Sequence, residues 1–239
     1  MDETLEKLAG FVTNKDSRLA CAAAVVLAEL APREAAVTRT LAEALGKADA
    51  LRRPFLVEAL GRIGTPQAAE ALVPLIRAGG PGAGEALRAV AHAGAGALKP
   101  LAALLKDVAQ PPSAVKGGVN HDLRTKLAEA IARTGEPQGF AALIAELKDA
   151  DEPSARAVRE GIHRAAGALD EKGREALLRQ ALKALDTASF ASHEPACLAA
   201  LELAGDTGDP EALATLLGFA TLKHPPRVRR AALLSVGRL

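Results

Sequence analysis

Histidine and cysteine are the side chains of this chain best suited to ligate a metal, relay a proton or attack a substrate. Their spacing prepares them for none of these. His92, His121, His163, His193 and His224 are scattered singly, and no H-E-x-x-H or comparable ligand spacing occurs. Cys21 and Cys197 lie far apart, each inside an Ala/Leu-rich run, where a cysteine behaves as a small buried hydrophobe. They predict no disulfide and no metal site. There is no G-x-S-x-G, no Cys-x-x-Cys and no phosphate-binding Gly-rich loop ahead of a Lys-Ser/Thr pair. The run Gly79-Gly80-Pro81-Gly82 lacks a preceding strand and the lysine, so it reads as a helix breaker. The expectation is a chain with no catalytic residue, no metal and no cofactor.

The elements that must position any remaining function are helices. The stretch from Leu56 to Ile76 ends one helix, turns a corner and begins the next. Gly61 and Gly64 fall where a helix ends, Thr65 can cap the following helix, and Pro66 suits its first position. The Gly-x-Pro corner recurs at Gly135-Glu136-Pro137 and Gly208-Asp209-Pro210, so its glycines stand 71 and 73 residues apart. After each glycine, small or apolar residues repeat at helical spacing: Ala69, Leu72, Val73 and Ile76; Phe140, Leu143, Ile144 and Leu147; Leu213, Leu216, Leu217 and Ala220. Gly96 begins another copy with Leu101, Leu104, Leu105 and Val108, which halves the interval to about 35 residues. A less regular copy runs from Glu171 to Leu185.

Units of that length hold two short helices and bury their stripes only by stacking on neighbours. Seven pairs follow. Their first helices are expected near 3–13, 33–46, 66–78, 97–108, 137–149, 171–186 and 210–222, and their second near 17–30, 51–63, 83–93, 121–134, 154–167, 194–204 and 226–239. Pro74 falls inside a first helix, where it bends the axis, and Pro100 is near enough to a helix start to be harmless. Residues 79–96 form a weak third pair with a short, Gly-rich second helix. Residues 107–121 read as a loop that Pro111-Pro112 and Gly117-Gly118 keep from being helical, with Lys116, Asn120 and His121 as its candidate functional residues.

Composition sets the same bounds. The 239 residues are 49% hydrophobic and 25% charged but only 2% aromatic, with no Trp or Tyr, which favours close-packed helices over sheets. The net charge of +1 argues against a chain that as a whole attracts nucleic acid or acidic membranes. No apolar run is long enough to span a bilayer, and the acidic N-terminus is unlike a secretory signal, so the expected compartment is the cytoplasm.

The second helices share the spacing V-R-x-A-A-x-x-A-L-G-x-[IL]-G. It is clearest from Val228 to Leu239, from Leu123 onward, and in the segment ending at Gly64. This pattern resembles the HEAT repeat, in particular the short bacterial form described as phycobilisome-lyase-like, over nearly the whole chain. The resemblance implies an all-α fold: an armadillo-like α-solenoid, a right-handed superhelix of about seven helix pairs forming one domain over 1–239. The chain stops inside the motif at Leu239, which predicts either truncation from a longer array or packing of that end on another domain or subunit. It further implies that Arg53, Arg124, Arg156 and Arg229, at the starts of second helices, pair in a ladder with the turn aspartates Asp49, Asp122 and Asp151.

In such solenoids the second helices line the concave face. Over pairs two to five they carry the basic residues Arg52, Arg53, Arg62, Arg88, Arg124, Lys126, Arg133, Arg156, Arg159 and Arg164. Against these ten stand five acids, Glu58, Glu85, Asp122, Glu129 and Glu160, a local net of +5. The leading expectation is a non-catalytic scaffold or adaptor that binds another protein or an acidic peptide segment on that face. Two others follow from resemblance: a bilin-lyase-like enzyme, for which no chromophore-handling residue can be transferred, and a nucleic-acid-binding HEAT-like protein. The second is disfavoured because base stacking needs aromatic surface and the chain has five Phe alone.

Overall fold

A computed structural model describes residues 3–109, 118–148, 150–187 and 192–239. Among these residues every regular element is helical and no strand is present. Close contacts divide the chain into two compact units, Met1–Leu104 and Leu105–Leu239, with the division falling inside one helix.

The first unit holds α1 (Glu3–Phe11), α2 (Ser17–Leu30), α3 (Ala35–Gly46), α4 (Arg53–Ile63), α5 (Pro66–Ala78) and α6 (Ala83–His92), then a 3-10 turn (Gly94–Ala97) and the start of α7 (Leu98–Ala109). The second holds α8 (Gly118–Arg133), α9 (Pro137–Leu147), α10 (Glu152–Ala166), α11 (Glu171–Leu185), α12 (Glu194–Asp206), α13 (Leu213–Phe219) and α14 (Pro226–Val236). Each expected helix is present, and most ends agree to within two residues.

The corners form as the residue types dictate. Gly64, Gly135 and Gly208 all adopt left-handed backbone with φ of 64–68°, a conformation that ends a helix and costs a glycine nothing. Thr65 accepts a hydrogen bond from the Ala68 amide at 3.3 Å, capping α5, while Pro66 and Pro137 occupy first helical positions. At the third copy, Asp209 caps a short 3-10 turn (Pro210–Ala212) that leads into α13. Pro74 lies within α5 and withdraws one amide from its ladder.

The helices of each unit pack in two rows. In the first unit α2, α4 and α6 lie side by side, with α1, α3 and α5 packed behind them. In the second, α8, α10, α12 and α14 form the row, backed by α9, α11 and α13. The core lies between the rows: Leu72 and Ile76 in α5, and Phe140, Leu143 and Leu147 in α9, are all but inaccessible. In α13 the stripe is only half used. Leu216 is buried, whereas Leu213 and Leu217 are exposed.

Close approach within a row is achieved with small residues. A Cβ placed on Gly61 of α4 would stand 2.7 Å from Ala89 Cβ of α6, and one on Gly205 of α12 would stand 2.7 Å from Ser235 Cβ of α14. Gly161 of α10 is tighter still, pressed against the Thr125 carbonyl, Ala128 and Glu129 of α8. Gly61 is therefore a buried contact inside α4, while Gly64 alone makes the helix end.

Two expectations change. The segment 107–121 is helical at both flanks: α7 continues to Ala109 and α8 begins at Gly118. A glycine in the first turn costs little, because amides there have no intrahelical partner to lose. Lys116 falls outside the described residues, while Asn120 and His121 sit in the first turn of a helix and not in a loop. Among the described residues none of Arg53, Arg124, Arg156 and Arg229 forms an ion pair with Asp49, Asp122 or Asp151 either. Asp49 and Asp151 accept from amides at helix starts, Asp49 also meeting Arg52 at 3.5 Å, while Asp122 pairs with Lys126 at 2.7 Å and Arg53 donates to the Ala48 carbonyl at 3.1 Å.

Candidate interaction face on the second helices

The ten basic residues expected on one face divide between the units. Arg52, Arg53, Arg62 and Arg88 lie in the first, and Arg124, Lys126, Arg133, Arg156, Arg159 and Arg164 in the second. All belong to the second-helix rows, Arg52 standing immediately before α4, but most are engaged within the fold.

Arg52 reaches back one repeat, donating from Nε to Ser17 Oγ and from Nη2 to the Lys15 carbonyl, each at 3.1 Å. Arg62 does the same at the other end of α4, meeting Glu29 of α2 and Glu58 of its own helix. These contacts join α2 and α4 at matching ends, so the two helices run parallel. Lys126, Arg133 and Arg164 each pair with an acid four residues earlier on their own helix, Asp122, Glu129 and Glu160. Arg159 crosses from α10 to Glu202 of α12 at 2.6 Å.

Arg124 is not on the surface at all. It is 7% exposed, donates to Ser154 Oγ, and leaves its Nε without a partner; burial pulls its guanidinium below the usual range despite Glu146 and Asp151 nearby. That leaves Arg88 of α6 and Arg156 of α10 exposed and without an ionic partner among the described residues.

The local excess of +5 came from counting pairs two to five alone. Two acids that offset part of it, Glu29 and Glu202, stand one repeat outside that window. Glu29 meets Arg62, 33 residues away, and Glu202 meets Arg159 across the next repeat boundary.

A further acid, Asp206, is more enclosed than either. Its carboxylate, 7% exposed, accepts from Arg238 of α14 at 2.6 Å and contacts His163 Nδ1 of α10 at 2.8 Å, so one side chain joins three consecutive members of the row. His163 is thus an exposed tie, and His121 faces Glu160 at 3.7 Å in the same way. The Arg164 guanidinium, and His121 beside it, hold Glu160 below the usual carboxylate range. His92 is exposed at the end of α6, and His224 stacks on Phe219 with ring centroids 4.6 Å apart.

Among the described residues no group of three or more His, Cys, Asp or Glu is placed to hold a metal ion. Both cysteines are free: Cys197 is buried, which pushes its thiol up to about 11, and Cys21 is half-buried and also raised, chiefly by burial. Among the described residues no helix is long and apolar enough to cross a membrane.

Residue patterning missed one feature of the first unit. Ser17, Arg18, Cys21, Ala22, Val25 and Val26 of α2, with Leu51 and Phe55 at the start of α4, line an open, mainly apolar groove of about 720 Å³. The signal was present in Leu51 and Phe55, apolar residues flanking a helix start outside the buried stripe.

Neither a family model nor a curated protein matches the chain. Three crystal structures of engineered proteins align with it. The first is 18% identical, covers 100% of this chain and 96% of its own, and has a TM-score of 0.33. The second is 18% identical over 99% of this chain and 68% of its own, at 0.38. The third is 20% identical over 100% and 98%, at 0.31.

Proposed function

We propose that the chain is a HEAT-like α-solenoid protein serving as a non-catalytic scaffold or adaptor, which binds another protein through the exposed side of its second helices. The partner surface is acidic. The observation that supports this most is made in each unit separately: Arg88 on α6 of the first and Arg156 on α10 of the second are exposed and, among the described residues, have no ionic partner, while several neighbouring cations are neutralised inside the fold. An unneutralised charge on a packed, regular face steers an oppositely charged partner and sets register more than it adds affinity. Rows of parallel helices give such a partner an extended surface to follow.

The test uses the protein retained most strongly from native extract. Arg88→Glu and Arg156→Glu, which touch no internal ion pair, should each weaken its capture while leaving the helical spectrum unchanged. Capture equal to that of the unaltered chain contradicts the proposal. Arg159→Glu and Arg164→Glu are poorer probes, because each would also break an internal pair with Glu202 or Glu160.

A further inference from the structure

The groove on α2 and α4 has a chemistry of its own, and its reading rests on the partner-binding role just proposed. Its walls are apolar and uncovered: Val26 is 39% exposed, Phe55 41% and Leu51 65%. Its ends carry opposite charge. At the end where both helices begin, Arg52 is held by Ser17, the Lys15 carbonyl and Asp49, whereas Arg18 lines the groove with no side-chain partner among the described residues. Toward the other end, Glu29 and Glu58 share the single cation Arg62, which leaves one carboxylate's worth of negative charge.

From this arrangement we propose that the groove docks an amphipathic helix of a partner protein, running antiparallel to α2 and α4, with a carboxylate in its last turn meeting Arg18. Apolar anchors spaced at i, i+3 or i+4, and i+7 would cover Val25, Val26, Leu51 and Phe55, as in other helix-in-groove complexes. The antiparallel direction follows from the dipoles. It brings the partner's carbonyl-rich C-terminal end to Arg18, the first amides of α2 and those leading into α4 being already capped by Asp16 and Asp49, and its amide-rich N-terminal end to Glu29 and Glu58. A parallel helix would oppose like ends at both places.

The probe is a phage-displayed random library of peptides of roughly 16 residues, about 24 Å as helix, selected against the full chain. Enriched sequences should carry apolar residues at helical spacing and an Asp or Glu near the C-terminal end. The synthesised peptides should lose affinity about tenfold or more with Val26→Asp and with Arg18→Glu, both at exposed positions, and be unaffected by Arg88→Glu. Enrichment without that pattern, or peptides indifferent to both groove variants, overturns the proposal. So does self-association or sedimentation with phosphatidylglycerol vesicles that Val26→Asp abolishes, since either would assign the groove to a second copy or to lipid. If the groove variants leave peptide and native partner untouched while Arg88→Glu and Arg156→Glu release the partner, the groove assignment falls and the helix-row reading stands. The converse pattern removes the helix-row reading and keeps the groove.

Discussion

Asp151 shows how a residue that looks available for one task is committed to another. Its carboxylate caps α10 by accepting from the Ser154 amide at 2.9 Å, and hydrogen bonding from Ser154 holds it below the usual carboxylate range. A group depressed in the folded state contributes stability that is complete above its unfolded value, near pH 4, and is lost as pH falls through the folded value. Asp151→Ala should therefore cost about 1 kcal/mol at neutral pH in urea unfolding and reduce the loss of stability on acidification. A variant as stable as the parent at pH 7 would show that the cap contributes nothing. The arginines carry the same lesson with opposite legibility. Arg88 and Arg124 both read as surface cations in a basic row, yet one is exposed and the other 7% exposed. Arg124 is enclosed at the α8–α10 contact and bonded to Ser154, 30 residues away, which no local pattern around Arg124 reveals.

At the scale of the helix, most of the architecture was readable because the determinants are local. A left-handed glycine stands two positions before a proline in each corner, Thr65 and Asp209 at the middle position cap the element that follows, and the apolar stripe after them has one period. What was not readable is the role of a glycine that acts at a distance. Gly161 sits within α10 at ordinary helical geometry, and only the neighbouring Thr125 carbonyl, Ala128 and Glu129 explain it. Gly161→Ala should destabilise the second unit by about 1–3 kcal/mol, since the facing atoms are largely backbone and cannot yield. Gly167→Ala is the matched control: it ends the same helix at φ −66°, meets nothing within 4 Å, and should be neutral or slightly stabilising. Equal thermal midpoints for the two variants would refute close helix approach at Gly161. The loop expectation for 107–121 failed only at its two ends, the stretch 110–117 lying outside the described residues. At those ends Asp107 to Ala109 complete α7, and Gly118 to His121 form the first turn of α8, where a glycine is tolerated.

At the scale of the whole chain, each unit is a double row of helices whose exposed row is tied by side chains about one repeat apart. Asp206 is the tie with most reach, joining α10, α12 and α14 through His163 and Arg238. Asp206→Ala should cost about 1–2 kcal/mol in urea unfolding, a modest loss because both partners remain solvent-accessible. No change would mean that packing alone holds the row. This internal compensation leaves few charges for a partner and makes the unpaired ones informative. The central claim is that the exposed side of the second helices is a protein-binding face. It is tested most directly by measuring the affinity of the captured partner for the parent chain and for Arg88→Glu and Arg156→Glu. The account predicts a loss of about tenfold or more for at least one variant with helicity unchanged, and affinities equal to the parent for both would contradict it.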